Sequence, residues 1–159
     1  MKAQPLQVTL ETLPEQRVFA VEHRGPYQEI GHAFQRLGEA AYKARVLPKR
    51  PGAMVAVYHD NPDVTPAEEL RSEAGIVVPD DARLPAGLLE QRLRAGRYAR
   101  TKHVGPYEHL DAAWAWLVGE WLPQSGERAS DGPRFEVYLN TPVSAQPHEL
   151  ETDLYLPLA

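Results

Sequence analysis

The chain has 159 residues, 43% hydrophobic and 25% charged, which suits one globular fold or two small modules sharing a core. Its 17 basic and 22 acidic residues give a net charge of −5. A surface that neutralises phosphates carries a basic surplus, so direct nucleic-acid binding is not expected. With no cysteine, disulfides, thiolate metal ligands and a cysteine nucleophile are all excluded.

Met1-Lys2-Ala3-Gln4-Pro5 leads into alternating polar and apolar residues. That pattern is neither a leader peptide nor a membrane anchor, so cytoplasmic residence without membrane contact is the expectation. Val18–His23 reads as a strand, broken by Gly25-Pro26, and proline suits the first turn of a helix. Ile30, Phe34, Leu37 and Ala41 then recur at helical spacing. Pro48, Pro51 and Gly52 mark a connection before a strand at Met54–His59. Asn61-Pro62-Asp63 is a turn signal, Thr65–Leu70 has room for one helical turn, and Arg71–Val78 reads as the next strand. Asp80–Gly87 is a linker, and Leu88–Arg94 reads as an extra strand.

The same order then recurs. A shift of 80 residues lays His23-Arg24-Gly25-Pro26-Tyr27 on His103-Val104-Gly105-Pro106-Tyr107, Val57-Tyr58 on Val137-Tyr138, and Glu69-Leu70 on Glu149-Leu150. The second copy has a strand at Tyr98–Val104, a helix with Leu110, Trp114, Leu117 and Trp121 on one face, and strands at Phe135–Asn140 and Glu151–Leu158. One register held over such a span is the signature of an internal duplication. The expected fold is α+β: a single domain over 1–159, made of βαββ modules at about 6–80 and 88–158. They would share a mostly antiparallel sheet, with two long helices on one face and a ligand groove at the pseudo-twofold junction.

The run Val55-Ala56-Val57-Tyr58-His59-Asp60-Asn61-Pro62-Asp63-Val64-Thr65-Pro66-Ala67-Glu68-Glu69-Leu70-Arg71 resembles the signature of the GyrI-like family. Gly132-Pro133-Arg134-Phe135-Glu136-Val137-Tyr138-Leu139-Asn140 supports the resemblance in the second copy. The family includes the DNA gyrase inhibitory protein and the effector-binding domains of multidrug-responsive regulators. The resemblance implies a duplicated βαββ fold and binding of a hydrophobic or cationic small molecule, contact with gyrase, or both. No helix-turn-helix pattern precedes the motif, so a complete transcription regulator is not expected.

Glu136 is the candidate anchor, because its counterpart in the first copy is Ala56 and the carboxylate is present once. Strand alternation predicts Phe135, Val137 and Leu139 towards the helices, with Glu136 and Tyr138 on the opposite face. A lone carboxylate among aromatics suits an organic cation through charge and cation–π contact, and family members that bind cationic drugs have a glutamate at the matching position. The plainer alternative is a solvated glutamate paired with a neighbouring Lys or Arg. Tyr58 and Tyr138 are expected to flank the groove. Tyr155 joins them on that face if Leu154, Leu156 and Leu158 point inward, with Gly75 leaving space opposite. Trp114 and Trp121 read as core, and Tyr27 and Tyr107 as anchors of the helix starts.

The six histidines lack ligand spacing, so neither a metal nor a cofactor is expected. The leading expectation is a stand-alone binding protein for amphipathic, cationic compounds in drug or toxin resistance. The alternatives are gyrase inhibition by protein contact, and a hydrolase of strained electrophiles using Glu136 as base, with Glu73 or Asp153 as the second carboxylate.

Overall fold

The computed structural model of the chain describes residues 7–46 and 52–159, so Pro48 and Pro51 lie outside the described residues. Eight strands form one sheet: β1 (Val8–Leu13), β2 (Gln16–Arg24), β3 (Met54–Tyr58), β4 (Arg71–Val78), β5 (Leu89–Leu93), β6 (Gly96–Val104), β7 (Arg134–Tyr138) and β8 (Glu151–Pro157). The order across the sheet is β1-β6-β8-β7-β3-β4-β2-β5, and every pairing is antiparallel. Helix α1 (Gly31–Ala44) follows β2. Its counterpart α2 (Leu110–Trp116) follows β6 and runs through a π-helical turn, Leu117–Trp121, into α3 (Leu122–Ser125). Among the described residues no helix is long and apolar enough to cross a membrane.

Both βαββ halves form as the repeat predicts. β5 is the extra strand expected near Leu88–Arg94, but β1 is its unrecognised repeat counterpart. The two are exchanged: β1 of the first half pairs with β6 of the second, and β5 of the second half pairs with β2 of the first. Each half therefore supplies the strand that covers an edge of the other.

The shared motif has a local cause. Gly25 and Gly105 adopt φ of 122° and 138°, a region open to residues without a Cβ. There the chain leaves the strand, held by bonds from Gly25 N to the Leu70 carbonyl and from Gly105 N to the Leu150 carbonyl, both 2.8 Å. His23 and His103 donate through Nε2 to the carbonyls of Pro26 and Pro106 at 3.0 and 3.1 Å. Each bond fixes the turn that aims the following tyrosine, so these buried histidines serve the backbone.

Both helices lie on one face of the sheet. Ala33, Leu37 and Ala41 of α1 pack on Phe19, Val21, Ala74 and Ile76. Leu110, Ala113 and Leu117 pack on Ala99, Leu154 and Leu156. The other face has a core of its own: Val18, Ala20, Val55, Val57, Leu93, Tyr98 and Phe135 are each at most 1% exposed. Burying a valine, leucine or phenylalanine side chain contributes about 1.5–3 kcal/mol, so both faces of the sheet contribute to stability.

Candidate functional site

The two halves meet at the β3–β7 pair, where Ala56 lies directly across from Glu136. These are the same position in the two repeats, so the pseudo-twofold axis passes between them. Tyr58 and Tyr138 are likewise equivalent, as are Tyr27 and Tyr107, and Phe34 and Trp114. All of these side chains converge on the helix-facing side of the central strands.

Glu136 is 2% exposed. Its Oε2 accepts hydrogen bonds from the hydroxyls of Tyr58 and Tyr138, each at 2.8 Å, and its Oε1 accepts from the Trp114 indole at 2.6 Å. Burial pushes the carboxyl above its ordinary value, against the opposing pull of the three hydrogen bonds. Burial and the neighbouring acid hold Tyr58 and Tyr138 well above the usual phenol value, so both remain donors at neutral pH.

A second ring of aromatics encloses these donors. Tyr27 lies 4.6 Å from Tyr58, and Tyr107 lies 5.5 Å from Tyr138 (ring centroids). Phe34 meets Tyr138 edge-on at 5.6 Å, and Trp114 meets Tyr58 edge-on at 6.4 Å. The guanidinium of Arg134 lies 5.4 Å from the Trp114 ring centroid. Tyr27 also anchors its turn, donating to the Asp60 carbonyl at 2.8 Å and accepting from Asp60 N at 3.0 Å.

The structure brings Glu136, Tyr58 and Tyr138 together, but on the opposite face from the one alternation predicts. Phe135 and Val137 point away from the helices, into the second core. The rule "apolar side towards the helix" assumes a one-sided sheet, and here both faces are packed. Leu154, Leu156 and Leu158 do face the second helix, which sends Tyr155 to the far face, stacked on Phe135 at 4.9 Å and 15°. Tyr155 is therefore not brought to the Glu136 cluster. Nor does Gly75 leave space opposite it, because a Cβ there would meet Val18 Cγ1 at 2.3 Å.

Glu73 and Asp153 also lie on the far face, registered with Val57 and Val137. Glu73 accepts from His59 and Gln91, both at 2.9 Å, and Asp153 pairs with Arg100 at 3.3 Å. Neither supplies Glu136 with a second carboxylate.

Trp114 is the site residue that sequence reasoning assigned to the core. A signal was available, since it is an N–H donor where the first repeat places Phe34. The Glu136 carboxylate is closed off from solvent, and two grooves of about 410 and 490 Å³ lie elsewhere, one on the far face at Phe135, Val137 and Tyr155, the other beside Tyr107 along Pro142–Pro147.

Each half packs its helix on the same face of one duplicated antiparallel sheet, on either side of the central β3–β7 pair. The chain belongs to the GyrI-like small molecule binding domain family, which it matches over residues 6–159. A DNA gyrase inhibitor from Erwinia billingiae (strain Eb661) is 40% identical over 140 residues, covering 85% of this chain and 86% of that protein. The crystal structure of the EcmrR C-terminal domain is similar at a TM-score of 0.79, with 21% identity over 97% of this chain and 98% of that one. The structure of SAV2435 bound to tetraphenylphosphonium is similar at a TM-score of 0.69, with 13% identity over 96% of this chain and 94% of that one. At such identities the last two likenesses concern the fold alone.

Proposed function

We propose that this domain binds amphipathic organic cations, with Glu136 as the anionic anchor and Tyr58, Tyr138 and Trp114 as the walls around it. The observation that carries this reading is a carboxylate 2% exposed, held by three neutral donors and by no cation among the described residues. A buried anion without a counter-charge is costly. An organic cation supplies that charge, and the surrounding rings add cation–π contact. The tetraphenylphosphonium held by SAV2435 supports the same ligand class.

Contact with the Glu136 carboxylate requires the side chains that cover it to move aside. Trp114 caps the acid one turn before the π-helical segment Leu117–Trp121, and π-helical turns are frequent at functional sites. The test is titration of tetraphenylphosphonium bromide, read by tryptophan fluorescence and calorimetry. Glu136→Gln should weaken binding at least about tenfold, the order of one charge-assisted contact. Equal affinity would remove the carboxylate from the account.

The gyrase inhibitor from Erwinia billingiae supports a second reading, inhibition of DNA gyrase by direct contact. A supercoiling assay with purified gyrase tests it, and full activity at large molar excess of this protein would discard it.

A further inference from the structure

The helix-facing side of the central strand pair differs between the repeats at a second position. β3 presents Met54, Ala56 and Tyr58 there, and β7 presents Arg134, Glu136 and Tyr138. Two apolar residues of the first half thus correspond to two of opposite charge in the second. The charged positions are two residues apart on one strand face, about 7 Å.

They do not neutralise each other. Glu136 takes its bonds from Trp114, Tyr58 and Tyr138. Arg134 is half-buried, and no ion pair or hydrogen bond to its guanidinium is found among the described residues. Burial holds it below the usual arginine value, with Tyr27 and Asp63 acting on it only through their fields. A guanidinium offers five donors in a planar fork that matches a carboxylate, and those of Arg134 are taken by no protein partner among the described residues. The Trp114 indole joins the two charges: its N–H meets Glu136 and its face meets Arg134. A flat ligand that takes the place of that indole would therefore lie between an acid and a base.

Resting on the cation reading above, we propose that the site selects dipolar ligands: flat aromatic cations that also carry a carboxylate, the cation held at Glu136 and the carboxylate at Arg134. Met54 at the equivalent place makes this selectivity a property of the second repeat alone.

Two dyes differing in one group provide the test, rhodamine 110, with a free carboxylate, and its methyl ester rhodamine 123. Their binding to the whole chain is measured by fluorescence anisotropy. The wild-type protein should prefer rhodamine 110 about tenfold or more, the order of one charge-assisted pair. Arg134→Met, the first-repeat residue, should bring the ratio to about one by weakening rhodamine 110, and Arg134→Lys should keep part of the preference. Glu136→Gln should weaken both dyes alike.

Four outcomes overturn the proposal. Two of them leave the cation reading intact: Glu136-dependent binding of rhodamine 123 with no preference for rhodamine 110, and a preference that persists in Arg134→Met. Equal loss of both dyes in Arg134→Met would reduce the arginine to a support for Trp114. Failure of both dyes to bind the wild-type protein would remove both the cation reading and the selectivity.

Discussion

Ala56 and Glu136 face one another across the central strand pair as the same position of two repeats, one carrying a methyl group and the other the buried acid. The small partner matters as much as the acid. Opposed side chains in an antiparallel pair have Cβ atoms about 5 Å apart, so a second carboxylate would stand against the first. Ala56→Glu should therefore destabilise the fold by about 3 kcal/mol or more, measured by urea unfolding. Ala56→Glu combined with Glu136→Ala should recover much of that loss, because the two tyrosine donors lie to either side of the axis.

The position of Glu136 also sets a pH dependence. Burial raises its folded value above that of the unfolded chain. The folded state thus holds the proton more tightly, so this group's stabilising contribution is complete below the unfolded value. It is lost as pH rises through the folded value. Glu136→Gln should be more resistant to urea than wild type at pH 8, with the difference shrinking towards pH 4. Cation affinity should run the other way, rising with pH through the folded value in wild type and staying flat in the variant.

Trp114→Phe installs the ring that the first repeat has as Phe34. It keeps the aromatic wall and removes the donor to Oε1. Loss of a hydrogen bond to an ionised carboxylate costs about 1.5–3 kcal/mol. The Glu136 titration should accordingly move to higher pH, followed by NMR of the carboxyl carbon.

Tyr155→Phe tests the two-faced packing of the sheet. Tyr155 stacks on Phe135 on the far face, where burial and nearby Glu11 and Asp153 raise its hydroxyl to about 12. Removing that hydroxyl should leave tetraphenylphosphonium affinity within about twofold, whereas Tyr138→Phe should lower it by about one hydrogen bond to a charged group.

Gly75→Ala places a methyl group where Val18 Cγ1 already lies, at 2.3 Å from the new Cβ. Overpacking of this kind costs about 1–3 kcal/mol. Adding Val18→Ala should relieve part of the cost, giving a favourable coupling in a double-mutant cycle by chemical denaturation.

Much of the architecture was legible because duplication constrains the reading. Gly25-Pro26 and Gly105-Pro106 each end a strand and begin a turn, and the chain between them repeats the same order. β1 escaped notice because its alternation, Val8-Thr9-Leu10-Glu11-Thr12-Leu13, is mild and its partner β6 is distant in sequence. Glu136 stood out because its repeat counterpart is alanine. Trp114 did not, because a tryptophan on an apolar stripe reads as core until its N–H is given a direction.

The amino-acid sequence by itself determined the repeat, the strand and helix order, and the single acid at the middle of β7, since local propensity and periodicity act over a few residues. Which way that acid points was settled only by the tertiary structure. Period-two alternation gives two faces without saying which one the helices cover, and that choice depends on Tyr98, Leu93 and Phe135 packing a second core beneath the sheet. Long-range packing thus turned Glu136 towards the helices, and with it the whole aromatic enclosure.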